Sequence, residues 1–139
     1  MKSPGRGTAA SLGNKPASFT AASKYTVLNG GGYLVAGAIL IVWPGVTQAL
    51  FREPAFAGHE EALIRVIGLT VVVIGWLYLF GGRSGTRQFV VASIIDRLVF
   101  VPLVLVPIAI AGVFPRLFLA FTIVDVLLAI GALIFLARE

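Results

Sequence analysis

Residues 89–137 read FVVASIIDRLVFVPLVLVPIAIAGVFPRLFLAFTIVDVLLAIGALIFLA, and the rest of the chain is organised around them. The stretch is apolar enough to lie in lipid, yet it holds the adjacent charges Asp96 and Arg97 and the lone Asp125. An ionised side chain in hydrocarbon costs several kcal/mol unless it finds a partner. Any fold of this chain therefore has to give these charges partners or water.

The whole chain has the composition of a membrane protein. Of its 139 residues, 58% are hydrophobic and 12% are charged, and the mean hydropathy is +0.99. A soluble domain of this size leaves too much area exposed to hide so much apolar surface. The absence of cysteine excludes disulfides, thiol catalysis and iron–sulfur clusters. His59 is the single histidine, which excludes a bis-histidine haem and a multi-histidine metal centre.

Hydropathy divides the chain into a basic tail and four apolar spans. Residues 1–24 contain no acid and few large apolar side chains, so we expect a disordered cytoplasmic tail, with a transit peptide as the alternative. Residues 25–138 form one predicted domain, whose spans each approach the roughly 30 Å of a hydrocarbon core. We place the four spans at about residues 25–43, 62–80, 88–113 and 117–137.

The first span has two features of its own. Its small residues Gly32, Ala36 and Gly37 predict a flat face that packs closely against another helix. A cleaved signal peptide is the alternative for this span, because residues 55–57 (Ala-Phe-Ala) resemble a cleavage site. That site lies farther from the apolar run than a signal peptidase normally cuts, which favours a retained helix.

The connections predict how the helices are arranged. The turn of residues 81–87 is too short for a domain, so the second and third spans are expected to be antiparallel neighbours. Pro102 and Pro107 remove backbone hydrogen bonds and predict a kink in the third span. We therefore predict an all-α membrane protein, a four-helix transmembrane bundle with up-down-up-down topology.

The basic residues predict the orientation in the membrane. They form no stripe interleaved with aromatic side chains, which argues against nucleic acid as a partner. The tail side of the predicted membrane holds Lys2, Arg6, Lys15, Lys24, Arg83, Arg87 and Arg138, and the opposite side holds Arg52 and Arg116. By the positive-inside rule, both termini are expected in the cytoplasm.

Arg97 and Asp125 are predicted to meet near the middle of the membrane. At 1.5 Å per residue, each lies about 13 Å into its span, and the two spans enter from opposite sides. Both therefore come close to the midplane of a core roughly 30 Å thick. A salt bridge would neutralise two costly charges together, and a planar guanidinium suits a carboxylate. The first hypothesis is a structural latch that fixes helix pairing.

The alternative is a polar cavity formed by Arg65, Asp96, Arg97 and Asp125, which would bind an anionic headgroup, a quinone or a transported proton. Asp96 points about 100° away from Arg97 around an α-helix, so we expect it to be protonated or to turn to water. Arg65 lies close enough to the membrane boundary to snorkel. Hydroxyls that could extend either network belong to Tyr78, Ser93 and Thr122.

No motif in the sequence points to catalysis or to a bound metal. There is no Gly-x-Ser-x-Gly elbow, zinc-protease motif or cysteine nucleophile. His59, Glu60 and Glu61 point in three directions and indicate a solvated loop rather than a metal site. A dyad of Asp96 and Asp125 is the remaining enzymatic hypothesis, and the neighbouring arginine removes the like-charge repulsion that such a dyad uses. We expect no enzymatic activity, no metal and no cofactor.

Arg65-x-x-Gly68, the Asp96-Arg97 pair and Asp125 together resemble small bacterial four-helix inner-membrane proteins of the broadly DoxX-like type. The resemblance covers about residues 25–137 and implies a location in the bacterial inner (plasma) membrane. The best-known DoxX members are similar to membrane subunits of quinone-linked sulfur oxidation. The resemblance therefore also implies contact with a quinone, but it assigns no catalytic residue.

Two functional hypotheses follow from these features. The first is a non-enzymatic accessory or assembly subunit that lies in the lipid bilayer beside a larger membrane protein, or that associates with itself. The alternative is a small transporter, or a lipid- or quinone-binding membrane protein, that uses the polar centre.

Overall fold

The computed structural model describes residues 19–139, and every regular element in that range is helical. The elements are α1 (Ala21–Val42), α2 (Val46–Phe51), α3 (Glu60–Arg83), α4 (Arg87–Ile95), a π-helical segment (Asp96–Phe100), α5 (Val101–Ile110) and α6 (Pro115–Ala137). Residues 1–18 of the predicted tail lie outside the described residues. Residues 21–24, which were also assigned to the tail, belong to α1.

Four helical stretches are long and apolar enough to cross a membrane: α1, α3, the stretch Arg87–Ile110 and α6. They confirm the prediction of an all-α, four-helix integral membrane protein. Their contact with a lipid bilayer follows from the many large apolar side chains that they leave exposed. The up-down-up-down topology of the four helices stays a prediction.

The helix ends differ from their predicted positions by up to four residues, and the second span covers Glu60–Arg83 where residues 62–80 were predicted. The first span begins at Ala21 rather than at residue 25, because the Thr20 side chain caps it by accepting a hydrogen bond from the Ser23 amide at 3.2 Å. The third span ends at Ile110 rather than at residue 113. Gly112 (φ +86°) and Phe114 (φ +41°) take up left-handed backbone there and turn the chain into α6.

Backbone contacts between glycines join α1 to α3. A Cβ atom at Gly30 would lie 2.8 Å from the Gly75 carbonyl oxygen, and one at Gly37 would lie 2.6 Å from the Gly68 carbonyl oxygen. Gly30 contacts Gly75, whereas the later residue Gly37 contacts the earlier residue Gly68, so the two helices run antiparallel. The prediction that Gly32 shares this packing face is wrong, since a Cβ there would meet no atom of the described chain within 4 Å. Gly30 takes that role.

The third span is irregular at the place where its prolines begin. In the π-helical segment Asp96–Phe100, the Val101 amide donates to the Asp96 carbonyl, one residue farther back than in an α-helix. Pro102 follows at the start of α5, where its missing amide and its ring disturb the preceding turn. The irregularity predicted from the prolines is thus a π-helical turn, while Pro107 lies within α5.

The start of α6 is capped by a side chain from the loop after α2. Glu53 is buried, and its Oε1 accepts a hydrogen bond from the Leu117 amide at 2.8 Å. Arg116 also donates to the Arg52 carbonyl. Because Phe114 at the N-cap position has no side-chain oxygen, Glu53 supplies the acceptor that the first turn of α6 needs.

We expect Glu53→Ala to lower the free energy of unfolding by about 1–2 kcal/mol, since it removes both the cap and a carboxylate at a helix N-terminus. Chemical unfolding in detergent would measure the change. Glu61→Ala is the matched control, because Glu61 forms an exposed pair with Arg65, of a kind worth about 0.5 kcal/mol or less. Equal costs for the two variants would contradict the capping role.

Candidate functional site

A cleft of about 430 Å³ lies between α3 and the second half of the third span. Among the described helices, the backbone of α3 comes close to α1 and α4 but not to α5 or α6, which leaves the gap. We call this the central cleft. Its side walls are apolar and include Val71 and Ile74 from α3, and Val101, Val104 and Leu105 from α5. Tyr33 and Asp125 close it at the back.

Arg97 is the most buried charged side chain of the central cleft, with 1% of its surface exposed. Its Nε donates to the Ser93 carbonyl at 3.0 Å, and its Nη2 donates to Ser93 Oγ at 3.1 Å. Its Cζ lies 5.0 Å from the centroid of the Tyr78 ring, which is cation–π geometry. Its Nη1 has no hydrogen-bond partner among residues 19–139. Arg97 is therefore held in place by its neighbours, while its buried Nη1 group lacks an acceptor in this part of the chain.

Asp125 is 6% exposed and accepts a hydrogen bond from the Tyr33 hydroxyl across the α1–α6 contact. The predicted salt bridge between Arg97 and Asp125 is wrong for the part of the chain that the structure describes, where the one salt bridge joins Arg65 to Glu61. The physical reason is that each charge has a nearer partner. Arg97 uses oxygens on its own helix, and Asp125 uses a phenol from α1.

Asp96 lies on the same cleft as Arg97, although the sequence predicted that the two side chains diverge. The two side chains converge because both contact Tyr78, Asp96 at the hydroxyl and Arg97 at the ring face. Asp96 is half-buried, and its Oδ2 accepts a hydrogen bond from the Tyr78 hydroxyl at 2.9 Å. Tyr78 thus contacts the arginine with its ring face and the aspartate with its hydroxyl.

Arg65 does not belong to this group. It pairs with Glu61 at 2.9 Å and donates to the Ile41 carbonyl at the C-terminal end of α1. Its side chain is 44% exposed, and its position near the membrane boundary stays a prediction. Three of the four predicted site residues, Asp96, Arg97 and Asp125, therefore share the central cleft, and Arg65 lies outside it.

Two of the three predicted hydroxyl groups belong to the hydrogen-bond network of the central cleft, and the third does not. Tyr78 and Ser93 take part in the network, whereas Thr122 donates to the carbonyl of Phe118 in its own helix at 2.8 Å. Sequence reasoning missed Tyr33, the partner of Asp125. The available signal was that Tyr33 and Asn29 are polar, lie one helical turn apart in an apolar span and so share a face.

Chemically, the central cleft is an apolar chamber whose wall includes a fixed cation with an Nη1 group that is unpartnered within the described chain. The two carboxyl groups on its wall already accept hydrogen bonds from Tyr33 and Tyr78. The Arg97 Nη1 group is therefore a polar group of this cleft that lacks a hydrogen-bond partner among the described residues. Neither a family model nor a curated protein nor a solved structure matches this chain.

Proposed function

We propose that this protein binds a lipid-soluble molecule in the central cleft, with an oxygen of the molecule accepting a hydrogen bond from Arg97. The observation that carries the proposal is Arg97, which lines the apolar central cleft while its buried Nη1 finds no acceptor among the described residues. An unmatched buried donor on a charged group costs free energy. A ligand oxygen would remove that cost.

The size and lining of the cleft support a small ligand rather than a helix. Its volume of about 430 Å³ lies within the range of small-molecule sites, about 300–1,000 Å³. The walls are apolar apart from the groups around Arg97. The ligand is thus an apolar body with one oxygen headgroup, either the carboxylate or phosphate of a lipid or the carbonyl of a quinone, the class that the DoxX-like resemblance implies.

The cleft is placed to receive such a molecule from the bilayer. Phe100 and Val104 line it and are also exposed on the outer face of the bundle. A ligand can therefore enter between α3 and α5 without passing through water. The proposal includes the predicted location, a bacterial inner membrane with both termini in the cytoplasm, and a non-enzymatic role.

Val104→Trp is expected to reduce the bound ligand at least tenfold, because an indole at this position fills the mouth of the cleft. The measurement is native mass spectrometry of the detergent-purified protein after incubation with a long-chain fatty acid or an isoprenoid quinone, and the added mass tells the two apart. Val99→Trp is the matched control, since Val99 is exposed but does not line the cleft.

Arg97→Leu is expected to lose the same ligand while Arg97→Lys retains part of the binding, because lysine keeps a charged donor. Unchanged binding in both Val104→Trp and Arg97→Leu would contradict the proposal. So would the absence of any bound mass in the wild-type protein with either compound.

An accessory or assembly role is the second candidate. The observation that favours it is an aromatic pair on the outer face of α3, where the rings of Trp76 and Phe80 lie 4.3 Å apart and are both exposed. Such a surface can pack against another membrane helix. Loss of a co-purifying protein in Trp76→Ala, with ligand binding intact, would support this role.

A further inference from the structure

A second cleft lies on the other side of the bundle, between α1 and α6. Its volume is about 270 Å³, and the described residues that line it all belong to these two helices. They include Leu28, Asn29 and Gly32 from α1, and Val124 and Leu128 from α6. Tyr33 and Asp125 line this cleft as well as the central one, so their hydrogen bond lies in the wall between the two.

Asn29 gives the second cleft its chemistry. The side chain is 7% exposed, and its Nδ2 is without a hydrogen-bond partner in the described part of the chain. An amide buried in an apolar helix pair is costly unless something accepts from it. Asn29 lines the cleft, and rotation of its side-chain amide about χ2 would bring this donor to a molecule bound there.

The charge of the second cleft differs from that of the first. None of the described residues that line it is cationic, and its wall includes the carboxyl group of Asp125. An anion would meet no compensating charge and would be repelled by an ionised carboxylate. An uncharged molecule with an oxygen acceptor would satisfy Asn29 without that penalty.

We propose that the α1–α6 cleft is a second binding site, for an uncharged lipid-soluble molecule whose carbonyl or ester oxygen accepts a hydrogen bond from Asn29 Nδ2. The site does not depend on the function proposed for the central cleft, because Arg97 does not line it. Leu28 and Val124 are exposed at its edge, so entry is again from the bilayer.

Photolabelling with two matched probes tests the site. One is the methyl ester of a fatty acid and the other an alkyl sulfonate of equal chain length, each carrying a diazirine beside the headgroup. The full-length protein in lipid nanodiscs is irradiated with each, and the labelled residues are identified by peptide mass spectrometry. We expect the ester to label the region of Leu28 and Val124 at least fivefold more than the sulfonate does.

Gly32→Leu is the blocking variant, because a side chain at this position grows into open space within the cleft. We expect it to reduce ester labelling at least tenfold. Gly31→Leu is the matched control, since Gly31 also has open space around it but does not line the cleft. Asn29→Leu, expected to reduce labelling by a similar factor, provides a second test should Gly32→Leu fail to fold.

Three outcomes would overturn the second site: no ester labelling there in the wild type, equal labelling by the sulfonate, or labelling that survives both Gly32→Leu and Asn29→Leu. A wild-type dimer that dissociates in Gly32→Leu would also overturn it, by assigning the cleft to a second copy of the chain. Loss of ligand from the central cleft in Arg97→Leu is measured separately, so either site can fail without the other.

Discussion

Replacing Gly75 with alanine is expected to lower the free energy of unfolding by about 3 kcal/mol, the upper end of typical overpacking costs. The new methyl group would lie 2.7 Å from the Leu34 amide nitrogen and 2.8 Å from the Gly30 carbonyl oxygen. Both are backbone atoms, which cannot rotate away as a side chain can. The helices α1 and α3 must therefore separate, and thermal or chemical unfolding in detergent would measure the loss.

Gly31→Ala is the control for this prediction, because a Cβ at Gly31 meets no atom of the described chain within 4 Å. Alanine favours a helix over glycine by about 1 kcal/mol, so this variant should be equal to the wild type or slightly more stable. Gly37→Ala, which meets the Gly68 carbonyl, should behave like Gly75→Ala. If all three variants were equally stable, the glycine contact would not hold α1 and α3 together.

Tyr33→Phe is expected to cost about 1–3 kcal/mol, because it leaves the buried Asp125 carboxyl without its donor. Asp125→Asn should cost less, since the amide oxygen of asparagine can still accept from the Tyr33 hydroxyl. A direct Arg97–Asp125 ion pair predicts that Asp125→Asn costs more than Tyr33→Phe, because removing one partner of a buried ion pair costs about 3–5 kcal/mol. Unfolding of these two single variants would separate the two arrangements.

The double variant gives the sharper reading. If Tyr33 and Asp125 interact, the loss of unfolding free energy in the double variant Tyr33→Phe/Asp125→Leu should be smaller than the sum of the losses in Tyr33→Phe and in Asp125→Leu. Costs that simply add, together with a large loss in Asp125→Asn alone, would restore the salt bridge predicted from the sequence.

Residue type along the chain was enough to find the four spans and the charges inside them. A bilayer sorts segments by length and hydropathy, and both quantities are properties of consecutive residues. That is why the spans were found within a few residues, and why Asp96, Arg97 and Asp125 stood out. The same reasoning placed Arg65 near a boundary, although it also grouped Arg65 with a centre that it does not reach.

The partners of those charges depended on packing. Arg97 and Asp125 were predicted at the same depth and do line one cleft. Depth does not set the direction in which a side chain points, so it could not predict their hydrogen-bond partners. Contacts with Tyr78 bring Asp96 and Arg97 together on the wall of the central cleft, and the Gly30 and Gly37 contacts hold α1 close to α3.

Hydropathy alone thus fixed which segments enter the membrane, because transfer into lipid is nearly a sum over residues. Only the tertiary structure could decide that Tyr33 donates to Asp125 and that Arg97 Nη1 finds no acceptor among the described residues. Hydrogen bonds depend on distances of about 3 Å and on direction, and these follow from how four helices pack together rather than from any one of them.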